Sequence, residues 1–465
     1  MDSQKMKKYS IVVIGAGAGG LVVAIGAAKA GKKVLLIEKG HWGGDCTNFG
    51  CIPSKTLIAS AEAAHHAKEP LISGAEALKR VRETVKEIRS HEEPEALEKL
   101  GVDTLTGTAA FISPNEVKVG EELIQGDRFV IATGSAPFIP PIEGLKDTPY
   151  LTNETIFDLE EIPKSLGVLG AGPIGCELAQ AFQRLGSKVT IIKSKRGLLP
   201  NGDPEAQEVM EEIFKKEGLQ VLLRCDTHPI DYLNGKFRLC TATGDEHSQS
   251  EVDALLVATG RRPQVSLLDL EKAGVTHSEK GITVDAYGRT NQKHIFAIGD
   301  AVGGLLFTHL AENQGRAVLT TLLMPGPLKK KFDPQPVPNC TYTSPEVAQV
   351  GMLEKEALEK FSPKKIAVYR VPLSAVDRAI TQGKTEGFVK VVTKKWSSEI
   401  LGATIVAPRA GEMLPELSLA LVHKIPLRKL AGLIHPYPTY NAAIRKCADL
   451  WLTQTVLSLL GGKKK

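Results

Sequence analysis

The chain is built from short, unbroken apolar runs that end in glycine turns, separated by longer alanine-rich segments. That pattern predicts buried parallel strands joined by helices rather than sheets with one wet face. Tyr9–Ile14 reads as one buried strand running into Gly15-Ala16-Gly17-Ala18-Gly19-Gly20, followed by an Ala-rich helix to about Ala30 and a second strand, Lys33–Glu38. This βαβ unit carries the GxGxxG spacing: Gly15, Gly17 and Gly20 permit the tight turn and let backbone approach a pyrophosphate at the helix N-terminus. Glu38 ends the second strand, where a carboxylate can accept a ribose hydroxyl.

The same pattern recurs at Ser165–Leu169, followed by Gly170, Gly172 and Gly175, a helix to about Leu185 and a strand Lys188–Ile192. Glu38 lies 23 residues past Gly15, and the residue at that offset from Gly170 is Lys193, followed by Ser194, Lys195 and Arg196. A carboxylate here would repel a 2′-phosphate, whereas Lys193, Lys195 and Arg196 attract one. Charge-assisted contacts of about 1.5–3 kcal/mol correspond to about ten- to a hundred-fold in affinity, so the second site is expected to take NADPH in preference to NADH. Two further strands end in glycine turns, Arg128–Pro137 and Ala254–Pro263, and read as matched crossings between domains; Thr133, Gly134 and Gly260 count among the nucleotide-contacting positions. His294–Asp300 reads as a strand that delivers Asp300 to its C-terminal, ligand-facing end. Thr308 is expected to cap another helix.

Candidate redox chemistry sits in Gly43-Gly44-Asp45-Cys46-Thr47-Asn48-Phe49-Gly50-Cys51-Ile52-Pro53-Ser54-Lys55. A helix N-terminus stabilises a thiolate, the reactive form of cysteine. On spacing alone Cys46 and Cys51 are equally a reversible disulfide or two packed thiols. Cys176, Cys225, Cys240, Cys340 and Cys447 are scattered, read as core thiols, and form no CxxC or Cys/His cluster that would hold a metal. Sparse cysteine fits a reducing, cytoplasmic compartment, in which a disulfide is usually catalytic. At 465 residues the chain exceeds one core, and 42% apolar and 24% charged residues describe an ordinary globular protein. A net charge of +5 does not argue for nucleic acid, and Lys463–Lys465 reads as a solvated tail. Ile11–Ala30 contains five glycines and no cleavage site, against a membrane span or signal peptide.

Together these motifs resemble the class I pyridine nucleotide–disulfide oxidoreductases, which include glutathione reductase, dihydrolipoamide dehydrogenase and mercuric reductase. The resemblance implies an α/β fold with two Rossmann-like dinucleotide-binding domains and an α+β dimerisation domain. The expected division is 1–150 for FAD, 151–265 for NAD(P)H, 266–335 returning to the FAD domain, and 336–465 for homodimerisation, the last beginning near Asn339–Gly351. It implies FAD held by Gly15, Gly17, Gly20, Glu38 and Asp300, and electrons passing from NADPH through FAD to a Cys46–Cys51 disulfide. Cys51 then stands as the thiolate against the flavin, Cys46 exchanges with substrate, Lys55 approaches flavin N5, and Glu177 is the ion-pair partner of Lys55. The helix beginning near Thr308 points its positive end at the flavin.

The chain departs from the family pattern in three places. Relatives carry His-Pro-Thr with a Glu five residues after the His; here Ile434-His435-Pro436-Tyr437-Pro438-Thr439-Tyr440-Asn441-Ala442 puts Tyr437 and Ala442 at those positions. Both members of the usual acid–base dyad are therefore expected to be missing, with His435 or Tyr437 as substitutes. A phenol of pKa about 10 is a poor proton shuttle beside an imidazole poised near 7. Mercuric reductases carry a tyrosine near this point but end in a cysteine pair and can carry an N-terminal CxxC domain, whereas this chain ends Leu459–Lys465. Pro173 stands where many relatives place an aromatic gate over the nicotinamide. The leading expectation is a mercuric reductase-like enzyme with an unidentified small-molecule or metal-ion acceptor. The alternatives are a dihydrolipoyl dehydrogenase, a flavin-only transhydrogenase or oxidase, and a catalytically weak dimeric scaffold.

Overall fold

Two parallel sheets follow directly from the apolar runs. The structure, a computed structural model, describes residues 6–66, 72–193, 197–224, 229–243, 246–332 and 335–457. In the first sheet five parallel strands lie in the order Ile295–Ala297, Phe129–Ile131, Ile11–Ile14, Val34–Glu38, Val102–Thr106. Helix Ala18–Lys29 packs beside helix Thr308–Leu323 at glycine contact distance: a Cβ on Gly315 would lie 2.8 Å from the Gly19 carbonyl oxygen. Residues from Val265 to Ala301 share one core with Tyr9–Ile37 and Ala109–Ile131, so the chain returns to its first sheet after completing the second.

The strand expected over Tyr9–Ile14 divides at Ser10. Lys7–Tyr9 pairs in parallel with Glu122–Gly126 in a separate four-stranded sheet, while the Ser10 and Ile11 N–H groups both donate to the Lys33 carbonyl and turn the chain into the nucleotide sheet. Thr308 is also not a cap. Phe307 holds that position without a side-chain bond, and Thr308 is the first helical residue.

The second sheet places Ala254–Val257, Ser165–Leu169, Lys188–Lys193 and Gln220–Arg224 in parallel, with an antiparallel meander, Asp231–Leu233, Lys236–Thr243 and Glu246–Val252, at its edge. The third is antiparallel, in the order Asn339–Thr341, Glu346–Gly351, Ile400–Ala407, Phe388–Lys394, Ile366–Pro372, and is covered by helices Ala410–Val422 and Ala442–Trp451. No helix among the described residues is long and apolar enough to cross a membrane.

The second and third units are bolted together by side chains. Gln180 accepts from the Ser344 N–H at 2.7 Å and donates to the Ser344 carbonyl at 2.9 Å. Asp203 caps helix Pro204–Lys216 by accepting the Glu205 N–H at 3.0 Å, and it also accepts from Lys390 Nζ at 2.7 Å. The Lys390 and Asp203 side chains are only 8% and 2% exposed, so neither charge can fall back on water. Removing one partner of such a pair costs about 3–5 kcal/mol. Asp203→Ala is expected to lower the unfolding free energy from urea denaturation by an amount in that range, and Arg370→Ala, at an exposed pair with Glu205, to change it by less than about 1 kcal/mol.

Candidate active site

The first nucleotide turn opens onto a cavity of about 630 Å³ lined by Gly15, Gly17, Glu38, Thr133, Gly134 and Asp300, among others. That volume lies within the range of cofactor pockets. The glycines are sterically required. Gly15 has φ +107°, and a Cβ there would lie 2.3 Å from the Ala132 carbonyl oxygen; a Cβ on Gly20 would lie 1.9 Å from the Gly15 carbonyl oxygen. Gly44, leading into the cysteine loop, packs on the same turn, its Cβ position 2.5 Å from Gly17 Cα. Glu38 accepts the Ala16 and Gly40 N–H groups at 2.8 and 2.9 Å. Asp300 accepts the Ser135 hydroxyl at 2.6 Å, and burial raises its carboxyl above the ordinary range. A bare backbone turn, an acid at the second strand end and a second acid in the cavity lining fit an elongated dinucleotide such as FAD.

The second turn repeats this geometry. Gly170 has φ +115° with its Cβ position 2.4 Å from the Ala258 oxygen, and a Cβ on Gly175 would lie 2.1 Å from the Gly170 oxygen. Gly172 and Gly260 face open space. Lys193 is paired with Glu211, so the strand end that bears Glu38 in the first unit is here close to neutral. Lys195 and Arg196 lie outside the described residues.

Cys46 sits in the short helix Gly44–Asn48, and Cys51 is the first residue of helix Cys51–His66. Asn48 braces the loop by donating to the Trp42 and Gly44 carbonyls at 2.8 and 2.9 Å. Both cysteines are free, Cys51 exposed and Cys46 partly buried. The pair shares one charge unequally. Cys51 is drawn down to about 6 chiefly by the hydrogen bond from Cys46, then by the Lys55 ammonium and the Thr308 hydroxyl, against burial and the Glu177 charge. Cys46 is pushed up by the same hydrogen bond and by burial. Thr308 Oγ1 stands 3.7 Å from Cys51 Sγ, which is where the hydroxyl goes instead of capping its helix.

Lys55 Nζ donates to Glu177 Oε2 at 2.8 Å, and the other Glu177 oxygen accepts the Tyr342 N–H at 2.8 Å. The structure thus brings Cys46, Cys51, Lys55 and Glu177 together. It adds two residues the sequence reading missed: Arg261 pairs with Asp45 at 3.0 Å, directly before Cys46, and donates to Ser135 Oγ at 2.8 Å and Asn153 Oδ1 at 3.2 Å. Their adjacency to Gly260 and Cys46 was the available signal. Cys176 is a core thiol, its S–H donating to the Ala171 carbonyl at 3.4 Å and its ionisation pushed up to about 12 by burial.

The C-terminal segment gives His435 an acid partner from another element: its Nε2 lies 3.0 Å from Glu416 Oε1 on helix Ala410–Val422, and its side chain is 8% exposed. Asn441 donates to the other Glu416 oxygen at 2.7 Å. The pair escaped the sequence reading because the acid comes from a helix preceding the histidine rather than from the position after it. Tyr437 is exposed and donates to Asp377 at 3.1 Å, which raises its phenol further. Among the described residues of one chain, neither His435 nor Tyr437 contacts the dithiol.

Two glycine cradles, a thiol pair beside one of them and a lysine–glutamate pair at the thiols define a flavin-dependent disulfide reductase. The family model described as pyridine nucleotide-disulphide oxidoreductase matches residues 9–315, and its dimerisation domain matches residues 337–448; the chain belongs to this family of FAD- and pyridine nucleotide-dependent oxidoreductases. It is 34% identical over 459 residues to a mercuric reductase of Lysinibacillus sphaericus, covering 95% of this chain and 83% of that one. To a dihydrolipoyl dehydrogenase of Thermus scotoductus it is 37% identical over 471 residues, covering 97% and 99%. The HOCl-induced flavoprotein disulfide reductase RclA of Escherichia coli, solved as a Cu(II) complex, superposes with a TM-score of 0.87 at 32% identity, covering 96% of this chain and 100% of that one.

The cradle geometry makes a sharp prediction. Gly20→Ala is expected to purify without bound flavin, measured by visible absorbance, because the added methyl meets a backbone oxygen that cannot move aside.

Proposed function

We propose that the chain is a homodimeric, cytoplasmic NADPH-dependent flavoenzyme whose outlet to its acceptor is the Cys46–Cys51 dithiol. The observation that carries this reading is the thiol pair itself. Cys51 opens a helix with the Thr308 hydroxyl 3.7 Å from its sulfur and the Lys55–Glu177 pair a turn further on. Cys46 lies in the short helix before it, and these surroundings draw the Cys51 ionisation down while that of Cys46 is pushed up. FAD, when bound in the first cradle, supplies hydride acceptance from a nicotinamide and two-electron reduction of a neighbouring disulfide. Gly15, Gly17, Gly20, Glu38, Thr133, Gly134 and Asp300 hold it, and Gly170, Gly172, Gly175 and Gly260 hold the nicotinamide nucleotide. Lys55, paired with Glu177, stabilises the Cys51 thiolate. With a disulfide acceptor, Cys46 attacks one sulfur once its proton has been taken, the other sulfur leaves and takes up the proton, and Cys51 then displaces the first as the Cys46–Cys51 disulfide closes.

In the homodimer, His435 of the second copy, held by its Glu416, is the group suited to take that proton, since within one chain it does not contact the dithiol. Tyr437 keeps its own proton and binds the acceptor instead of shuttling charge. Residues Leu433–Pro438 support the dimer, since Ile434 is 95% and Tyr437 76% exposed in one chain and an apolar loop of that kind fits a second copy. NADPH preference rests on the absence of an acid at Lys193, with Lys195 and Arg196 supplying the attraction. The acceptor is a disulfide, a metal ion or a small electrophile. The His435–Glu416 pair favours one second reading, a dihydrolipoyl dehydrogenase using NAD⁺.

Anaerobic titration with NADPH and with NADH tests the assignment. NADPH is expected to produce a long-wavelength thiolate–flavin band that Cys51→Ala abolishes, and Cys46→Ala to keep the band while losing acceptor turnover. Turnover surviving both changes sinks the dithiol outlet, and preference for NAD⁺ with dihydrolipoamide selects the second reading. In the same assay His435→Gln is expected to lower turnover at neutral pH by about 10²-fold or more, and Tyr437→Phe by less than about tenfold; equal effects would remove His435 from its role.

A further inference from the structure

We propose that Tyr342 is a positioning residue for the redox dithiol: its ring closes one face of the Lys55 ammonium and holds that charge against Cys51. The inference rests on the dithiol reading above and goes beyond it, because Tyr342 belongs to the unit matched by the dimerisation-domain model, outside both nucleotide folds.

Lys55 Nζ lies 4.4 Å from the centre of the Tyr342 ring and 2.8 Å from Glu177 Oε2. The ammonium is thus held between a carboxylate and an aromatic face, an arrangement in which the ring quadrupole attracts the cation and displaces water from it. The Lys55 side chain is 33% exposed, so without the ring it can swing toward solvent and leave the thiolate. The backbone of Tyr342 already anchors its strand, through the N–H that donates to Glu177. Docking of this loop therefore does not need the side chain, whose contact with Lys55 is separable from it.

The charged surroundings leave the ring as the neutral partner. Cys51 is faced by Cys46, Thr308, Glu177, Tyr342 and, from its own helix, Lys55. Tyr342 itself is faced by Cys340, Glu346, Glu177 and Cys51, and burial with these neighbours pushes its phenol up to about 12. Cys340 is pushed up by burial and keeps its proton. Glu346 is raised to about 7 by burial and spends one oxygen on the Gly411 N–H at 2.8 Å. Across the range where Cys51 ionises, Tyr342 acts through its ring and not through a charge.

The test is the pH dependence of Cys51 alkylation in the reduced, FAD-bound protein, with the labelled site assigned by mass spectrometry. Wild type is expected to show a midpoint at about 6. Tyr342→Leu is expected to raise the midpoint by about half a unit, slowing labelling about two-fold at the wild-type midpoint and not at all two units above it. Tyr342→Met, which also lacks the ring but keeps bulk, is expected to shift likewise, and Tyr342→Phe to restore the wild-type profile. An unshifted midpoint in both ring-less variants overturns the inference alone, as does a Tyr342→Phe profile equal to Tyr342→Leu, which would assign the effect to the hydroxyl. A wild-type Cys51 that ionises only in the ordinary thiol range overturns the dithiol reading and this inference with it.

Discussion

The Glu177 carboxylate is the point on which the site depends. Its side chain is 6% exposed, and a charge so far from water persists only with partners. It has two, and they come from different parts of the chain: the Lys55 ammonium on the helix that begins with Cys51, and the Tyr342 N–H in the C-terminal unit. Glu177 itself stands on helix Pro173–Arg184 of the second nucleotide fold. One buried acid thereby ties three units together and holds the Lys55 ammonium, which adds to the larger effect of the Cys46 hydrogen bond in drawing the Cys51 ionisation down. Gln180, one turn further along the same helix, clamps Ser344 and keeps that junction in register.

The two glycine turns share one backbone design. Gly15 and Gly170 both adopt positive φ against the carbonyl of an alanine that ends a neighbouring strand, and Gly20 and Gly175 both press on the turn itself. A side chain at any of the four would collide with backbone, so the cradles agree in shape. They differ in charge at the end of the next strand. Glu38 accepts two N–H groups, whereas Lys193 is compensated by Glu211. The difference between the two cradles is therefore electrostatic rather than steric.

In the C-terminal unit an imidazole–carboxylate pair forms from His435 and a glutamate one helix earlier, where the residues after the histidine offered no acid. The oxygen of Glu416 not facing the histidine is held by Asn441, so the carboxylate is fixed in orientation. Tyr437, tethered to Asp377, is left exposed beside this pair.

The glycine spacings, the cysteine pair and the strand-ending acids were legible in the chain alone, because each answers a local demand: positive φ, close backbone approach or a helix start. The α/β class followed from the same runs, and the Lys55–Glu177 pairing from family resemblance rather than from either residue's neighbours. The break at Ser10, the Thr308 hydroxyl at Cys51, the Asp45–Arg261 pair and the Glu416–His435 pair became visible only in three dimensions. Each depends on which remote segments pack around a group, and burial and electrostatics are properties of that packing. The sequence by itself determined where the glycine turns and the thiols fall along the chain. Tertiary structure decided which remote groups surround each thiol and which histidine has an acid behind it.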